Sequence, residues 1–138
     1  MTELEIIEQP SPEDLAAIGR RLAAFNEGDV GPAERRAISV IVRDRAGKVA
    51  GGLSGYTAWG WLYVQWLVVP EDMRGQGLAS RMLQAAETEA RARGCHAAWI
   101  DTFNPAALRV YQRQGYSAFG ELADFPVGRT RTFLQKRL

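Results

Sequence analysis

The chain has 138 residues, with 17 Lys and Arg against 16 Asp and Glu, so its formal net charge is only +1. This balance leaves no strong field to attract nucleic acid or a membrane surface, and neither is expected as a partner. The length suits one domain over residues 1–138. Because Cys95 is the only cysteine and no segment reads as a membrane span or a signal peptide, we expect a cytoplasmic protein.

The N-terminal part predicts a strand followed by a helix. Leu4 and Ile6 alternate with acidic residues, which indicates a strand near residues 3–8. Ser11 stands before Pro12 and two acidic residues, the pattern of a helix N-cap and first turn. Apolar residues at helical spacing then predict an amphipathic helix to about Glu27.

Three β-rich runs follow at residues 37–44, 49–58 and 61–69, divided by short turns that favour an antiparallel meander. A helix is predicted over 78–93, a strand over 97–102, a short helix over 104–114 and two last strands over 116–120 and 130–136. The strand–helix–strand unit in this order predicts a right-handed parallel crossover. The expected fold class is therefore α/β, a mixed sheet with helices on both faces that changes from antiparallel to parallel at the strand ending in Val69.

The turn after that strand is the most informative part of the chain. Arg74 precedes two glycines spaced one apart, Gly75 and Gly77, and a helix starts directly after them. Glycine allows backbone angles and a close approach that a Cβ would prevent. The first N–H groups of a helix have no partner within the helix and attract phosphate, so this turn predicts a pyrophosphate site unless its glycines serve only the turn.

A second polar element follows the next strand. Asn104 precedes Pro105 and predicts a helix cap, which does not exclude contact with a ligand. Tyr111 lies seven residues further on and therefore on the same face of the helix as Asn104. By spacing alone, Tyr111 could equally be a core aromatic residue.

Together the two elements resemble the GNAT superfamily of N-acetyltransferases. Residues 74–79 match its acyl-CoA motif, Gln/Arg-x-x-Gly-x-Gly/Ala, and Asn104, Tyr111 and Gly115-Tyr116 match its next motif. The resemblance implies a central sheet that is splayed between two parallel strands, where pantetheine enters. The residues that it assigns to acetyl-CoA binding are Leu67, Val68, Val69, Arg74, Gly75, Gln76, Gly77, Leu78, Ala79, Ser80 and Asn104.

The activity that the resemblance implies is direct attack of an amine, from a small molecule or a peptide, on acetyl-CoA, with no metal. The backbone amide of Leu67 or Val68 would stabilise the tetrahedral oxyanion, and Tyr111 would protonate the departing thiolate. The strand offers Gln65 where some relatives carry an acid, so the general base stays open between Asp101, Glu27, Asp29 and a water chain. Relatives commonly form dimers, so a homodimer is a further expectation.

Two alternative functions remain for the glycine turn. A GNAT-like module could hold acyl-CoA as a sensor without turnover, which Gln65 favours and Tyr111 disfavours. A dinucleotide-binding protein is the other, because Gly75, Gly77 and Ser80 partly match a dinucleotide fingerprint. Ser80 in place of the third glycine, and the single parallel crossover, argue against that second alternative.

Overall fold

The computed structural model describes residues 2–138. Its helices are α1 (Pro12–Val30), α2 (Leu78–Ala92) and α3 (Pro105–Arg113), with a short 3-10 turn at Glu71–Met73. Its strands are β1 (Arg36–Arg43), β2 (Val49–Ala58), β3 (Trp61–Val68), β4 (Ala97–Thr102), β5 (Ser117–Ala123) and β6 (Thr130–Arg137). Each helix and strand predicted from residue 11 onwards is present, with ends that differ by a few residues.

The chain divides into two compact units, residues 1–33 and 34–138. In the described part of the first unit, the Ser11 hydroxyl caps α1 by accepting a hydrogen bond of 3.1 Å from the Asp14 N–H, as predicted. The prediction of a strand at residues 3–8 was wrong. Those residues form no strand, and Leu4 and Ile6 are almost fully exposed, because alternation creates a strand only where a neighbouring strand supplies hydrogen bonds.

The second unit holds a six-stranded sheet in the order β1-β2-β3-β4-β6-β5. The β1-β2-β3 meander is antiparallel, the pair β3–β4 is parallel, and β4–β6 and β5–β6 are antiparallel. The predicted change of strand direction at β3 is therefore confirmed. Ligands of open α/β sheets bind beyond the carboxyl ends of strands at such a change, which directs attention to the residues after β3 and β4.

The parallel strands β3 and β4 pair over only part of their length, which is four of the 8 residues of β3 and four of the 6 residues of β4. Their pairing runs from Trp61 with Ala97 to Val64 with Ile100, although both strands continue beyond it. On its other side β3 has a bulge, because Gly55 pairs with Val64 while the preceding Ser54 pairs with Trp66. A bulge adds one residue and bends a strand. This bend accompanies the separation of β3 from β4, so an opening lies between their carboxyl ends.

Helix α2 is anchored to the sheet by an apolar face and one buried charge. Met82, Leu83 and Ala86 are completely or almost completely buried in the main core, and such burial contributes about 1.5–3 kcal/mol for a large side chain. The carboxylate of Glu87, also buried, accepts hydrogen bonds from Lys136 Nζ at 2.7 Å and from the Tyr116 hydroxyl at 2.9 Å. These contacts fix α2, and with it the position of its N-terminus.

Candidate functional site

The glycine turn leaves the N-terminus of α2 uncovered. Gly75 and Gly77 both have positive φ, at 77° and 73°, which explains glycine at these two positions. Among residues 2–138, no side chain caps α2, whereas Ser11 and Asn104 cap the other two helices. A Cβ built on either glycine would meet nothing within 4 Å, so the turn faces open space. The first-turn N–H groups of α2 are thus left for an external acceptor.

A cavity of about 700 Å³ lies beside this turn and continues into the opening between β3 and β4. Two arginines, Arg74 and Arg113, line it, and no carboxylate among the described residues does so. The positive end of the α2 dipole adds to this charge. The cavity is therefore suited to an anionic ligand with an extended, partly apolar arm.

Asn104 joins this cavity to the start of α3. Its Oδ1 atom accepts hydrogen bonds from the N–H groups of Ala106 at 2.9 Å and Ala107 at 3.1 Å, which confirms the predicted cap. Its own N–H donates to the Thr102 hydroxyl at 3.1 Å. The capped helix begins at the open edge of the sheet and holds Tyr111 almost two turns further on, as the spacing predicted.

Tyr111 lies where the two cavities of this unit meet. Its ring belongs to the main core and is 5% exposed, yet the residue also lines both the larger cavity and a second one of about 570 Å³. Burial, and to a smaller extent the nearby Asp101 carboxylate, raises the pKa of Tyr111 to about 12. The phenol therefore stays protonated throughout the physiological pH range, as a proton donor requires.

The second cavity is more aromatic and contains one ion pair. Tyr63, Trp66 and Phe103 are among its lining residues. Asp101 at the end of β4 is the only carboxylate that lines either cavity within the described chain, and its Oδ1 lies 3.2 Å from Nη1 of Arg131 on β6. Burial first, and Asp101 second, raises the pKa of Tyr63. This cavity is suited to a ligand that carries charge next to apolar groups.

The structure brings together almost all the residues expected at the acyl-CoA site. The residues that line the larger cavity as expected are Leu67, Val68, Val69, Arg74, Gly75, Gly77, Leu78, Ala79, Ser80, Asn104 and Tyr111. Gln76 is exposed and does not line it. Of the residues considered as general base, only Asp101 lines a cavity of this unit, and Gln65 lines the same one. Glu27 and Asp29 are exposed on α1 in the other unit.

Several residues that line the two cavities were not predicted from the sequence. Arg113 had a usable signal, since Ala106, Val110 and Arg113 follow each other at helical spacing and all line the larger cavity. Arg131 had no such signal, because its place depends on β6 lying next to β4.

Cys95 and His96 precede β4 at the opposite end from the opening, and burial raises the pKa of the Cys95 thiol. A thiol in that position is unsuited to carry an acyl group.

Residues 2–138 contain neither a cluster of metal-binding side chains nor a helix that could span a membrane. No group of three or more His, Cys, Asp or Glu side chains is placed to hold a metal ion. None of the helices combines the length and the apolar character that crossing a bilayer requires.

Comparison with known proteins agrees with this geometry. A model of the acetyltransferase (GNAT) family matches residues 3–116. Acetyltransferase Atu2258 of Agrobacterium fabrum is 49% identical over 121 residues, 88% of each chain, and blasticidin-S acetyltransferase of Streptomyces morookaense is 41% identical over 93 residues, 67% of this chain and 68% of the relative. A crystal structure of a candidate acetyltransferase from Agrobacterium tumefaciens superposes with a TM-score of 0.94 at 44% identity, covering 99% of this chain and 100% of that one. The chain therefore belongs to the GNAT family and is an acetyltransferase of that family.

Proposed function

We propose that the protein transfers an acetyl group from acetyl-CoA to a primary amine of a small molecule or peptide. The observation that carries this proposal is the opening between β3 and β4, which meets the uncapped start of α2 on one side and the second cavity on the other. The donor binds in the larger cavity and the amine in the smaller one. The two reactants meet beside Tyr111.

The donor's phosphates bind at the glycine turn. N–H groups of residues 75–80 hold the pyrophosphate, and Arg74 and Arg113 supply positive charge. The pantetheine arm extends along β3, where the backbone of Leu67 and Val69 has lost β4 as a neighbour and can pair with its amides. This arrangement leads the thioester to the meeting point of the two cavities.

The reaction is a direct attack by the amine nitrogen on the thioester carbonyl carbon. The resulting oxyanion is stabilised by the backbone N–H of Leu67 or Val68, and collapse of the tetrahedral intermediate breaks the C–S bond. Tyr111 donates its proton to the departing thiolate sulfur and regains one from solvent. The nitrogen, which gains positive charge as it attacks, releases its proton to water or to Asp101.

An alkyl amine must lose a proton before it can attack. With a pKa of about 10.4, deprotonation at pH 7 costs about 3.4 units of 1.36 kcal/mol, or about 4.6 kcal/mol. Asp101 supports this step, because a carboxylate in the smaller cavity can accept the proton of the bound amine and pass it to water. We therefore assign Asp101 to the amine side of the reaction.

The acceptor class follows from the relatives only in outline. One relative is named for blasticidin S, which supports a small molecule as acceptor.

A cytoplasmic location and a homodimer complete the proposal. The location rests on the balanced charge and the single cysteine, and the dimer on the frequency of dimers in the family. Light scattering coupled to gel filtration measures the oligomeric state.

Two measurements separate this function from its alternatives. Acetyl-CoA should raise the melting temperature more than NAD does, whereas a dinucleotide-binding protein would reverse that order. Thiol release from acetyl-CoA should then depend on an added amine within a panel of amines. Stabilisation by acetyl-CoA without release of thiol for any amine would identify a sensor and refute the proposed transferase.

A further inference from the structure

The smaller cavity contains two opposite charges side by side. Asp101 and Arg131 are its only ionised lining residues within the described chain, and their side chains remain 16% and 25% exposed. The pair is thus neither sealed inside the protein nor freely solvated. A ligand in the cavity meets both charges at once.

The guanidinium of Arg131 is held in place but not saturated. Its central carbon lies 4.0 Å from the ring centre of Phe125 and 5.1 Å from that of Phe103, which restricts its rotation. Nη1 donates to Asp101. Within residues 2–138, Nε is the single buried side-chain nitrogen or oxygen that has no hydrogen-bond partner.

A planar guanidinium can donate to two carboxylates along two different edges. Asp101 uses the Nη1 end, so the edge formed by Nε and Nη2 lacks an anionic partner within the described chain. A buried donor without an acceptor is rare in folded proteins and is commonly explained by a ligand or a water. The Nε and Nη2 donors of Arg131 thus form an edge whose geometry matches the two oxygens of a second carboxylate.

We infer that the acceptor is an amine that also carries a carboxylate close to its amino group, as an α-amino acid or an amino-acid-like compound does. The ammonium group is bound by Asp101 and the carboxylate by Arg131, so adjacent opposite charges in the cavity match adjacent opposite charges in the ligand. This inference rests on the proposed acetyl transfer and names its substrate class. Tyr63, Trp66 and Phe103 surround the remainder of the acceptor and favour an apolar side chain.

The test compares matched amines. Thiol release from acetyl-CoA is measured with the common L-amino acids and with the amines formed when each loses its carboxylate, for example phenylalanine and phenethylamine. For the best amino acid we expect kcat/KM to exceed that of its decarboxylated partner by about 10²-fold, because a site built for a charged hydrogen bond rejects the analogue that lacks it.

Variants of Arg131 test whether this residue causes the preference for an amino acid over its decarboxylated amine. Arg131→Gln should lower kcat/KM for the amino acid by about 10²-fold more than for the decarboxylated amine, because only the amino acid loses a carboxylate contact. Arg131→Lys keeps a positive charge opposite Asp101, so it protects folding, but it loses the planar fork and should lower the preference by about 10-fold. Arg137→Gln, an exposed arginine on the same strand that lines neither cavity, is the matched control and should change nothing.

Each outcome decides between the two proposals. Equal or better turnover of the decarboxylated amines overturns the zwitterionic acceptor and leaves acetyl transfer intact. An equal loss for both kinds of amine in Arg131→Lys likewise overturns it, because a purely structural role would act on both. Absence of turnover for every amine refutes the acetyl transfer itself, and the inference with it.

Discussion

Replacing Tyr111 by phenylalanine separates proton donation from packing. The ring is almost completely buried in the main core, and no hydrogen bond from its hydroxyl group is found within residues 2–138. Phe retains the ring, so the free energy of unfolding should change by less than about 1 kcal/mol. Loss of the general acid should lower kcat by about 10²-fold, which corresponds to about 2.7 kcal/mol of barrier height.

The neighbouring Tyr116 provides a matched control with the opposite expected result. The two rings lie 6.5 Å apart, but the Tyr116 hydroxyl donates to the buried Glu87 carboxylate and Tyr116 lines neither cavity. Losing a hydrogen bond to a charged group costs about 1.5–3 kcal/mol. With about 2.1 cal/mol/K of unfolding entropy per residue, 138 residues convert this into a fall of about 5–10 °C in Tm. The kcat of Tyr116→Phe should stay within about two-fold.

The assay measures thiol release with both substrates saturating, alongside thermal unfolding of each variant. Saturation matters because kcat then reports the chemical step rather than binding, provided that product release is fast. A Tyr111→Phe protein that folds normally and keeps its full kcat would remove Tyr111 from proton transfer. A similar loss of kcat in both variants would show that the effect comes from a disturbed core.

Two further predictions concern the donor site and pH. Arg74→Ala should raise the KM for acetyl-CoA about 5-fold with kcat unchanged, since an exposed charge contact contributes about 1 kcal/mol. Arg109 is exposed and lines neither cavity, so Arg109→Ala is the control and should leave the KM unchanged. Initial rates at varied acetyl-CoA measure the KM, and an unaltered KM in Arg74→Ala excludes the phosphate contact. Because burial raises the pKa of Tyr111 to about 12, its protonated, donating form persists to higher pH, and kcat should rise or stay level from pH 7 to 10.5 as the amine loses its proton. A fall of kcat with a midpoint near pH 10 would mean that Tyr111 ionises at its ordinary value and would contradict the raised pKa.

Local signals in the sequence predicted the geometry of the glycine turn and of the start of α3. The positive φ of Gly75 and Gly77 and the cap at Asn104 are properties of a few consecutive residues, and they appear as predicted. The spacing of Asn104 and Tyr111 along one helix also carried over directly. Such features depend on backbone geometry within one turn or helix, so they can be predicted from a single sequence.

The ion pair in the smaller cavity depends on a contact between distant segments, and the sequence did not predict it. Arg131 meets Asp101 because β6 pairs with β4, with Thr102 opposite Thr132, although Asp101 and Arg131 are 30 positions apart in the chain. The strand predicted near residues 3–8 failed for a related reason, since alternation alone does not supply a partner. Pairing between strands is a property of the whole sheet rather than of any one segment.

In the proposed reaction, the wall shared by the two cavities links the choice of acyl group to the choice of amine. Five residues, Leu67, Val68, Thr102, Asn104 and Tyr111, line both cavities, so there is no partition that separates the two ligands. Each additional methylene on the acyl chain occupies volume that the amine would otherwise use. A redesign for bulkier amines at this wall would therefore also relax discrimination among thioesters, and the two specificities would have to evolve together.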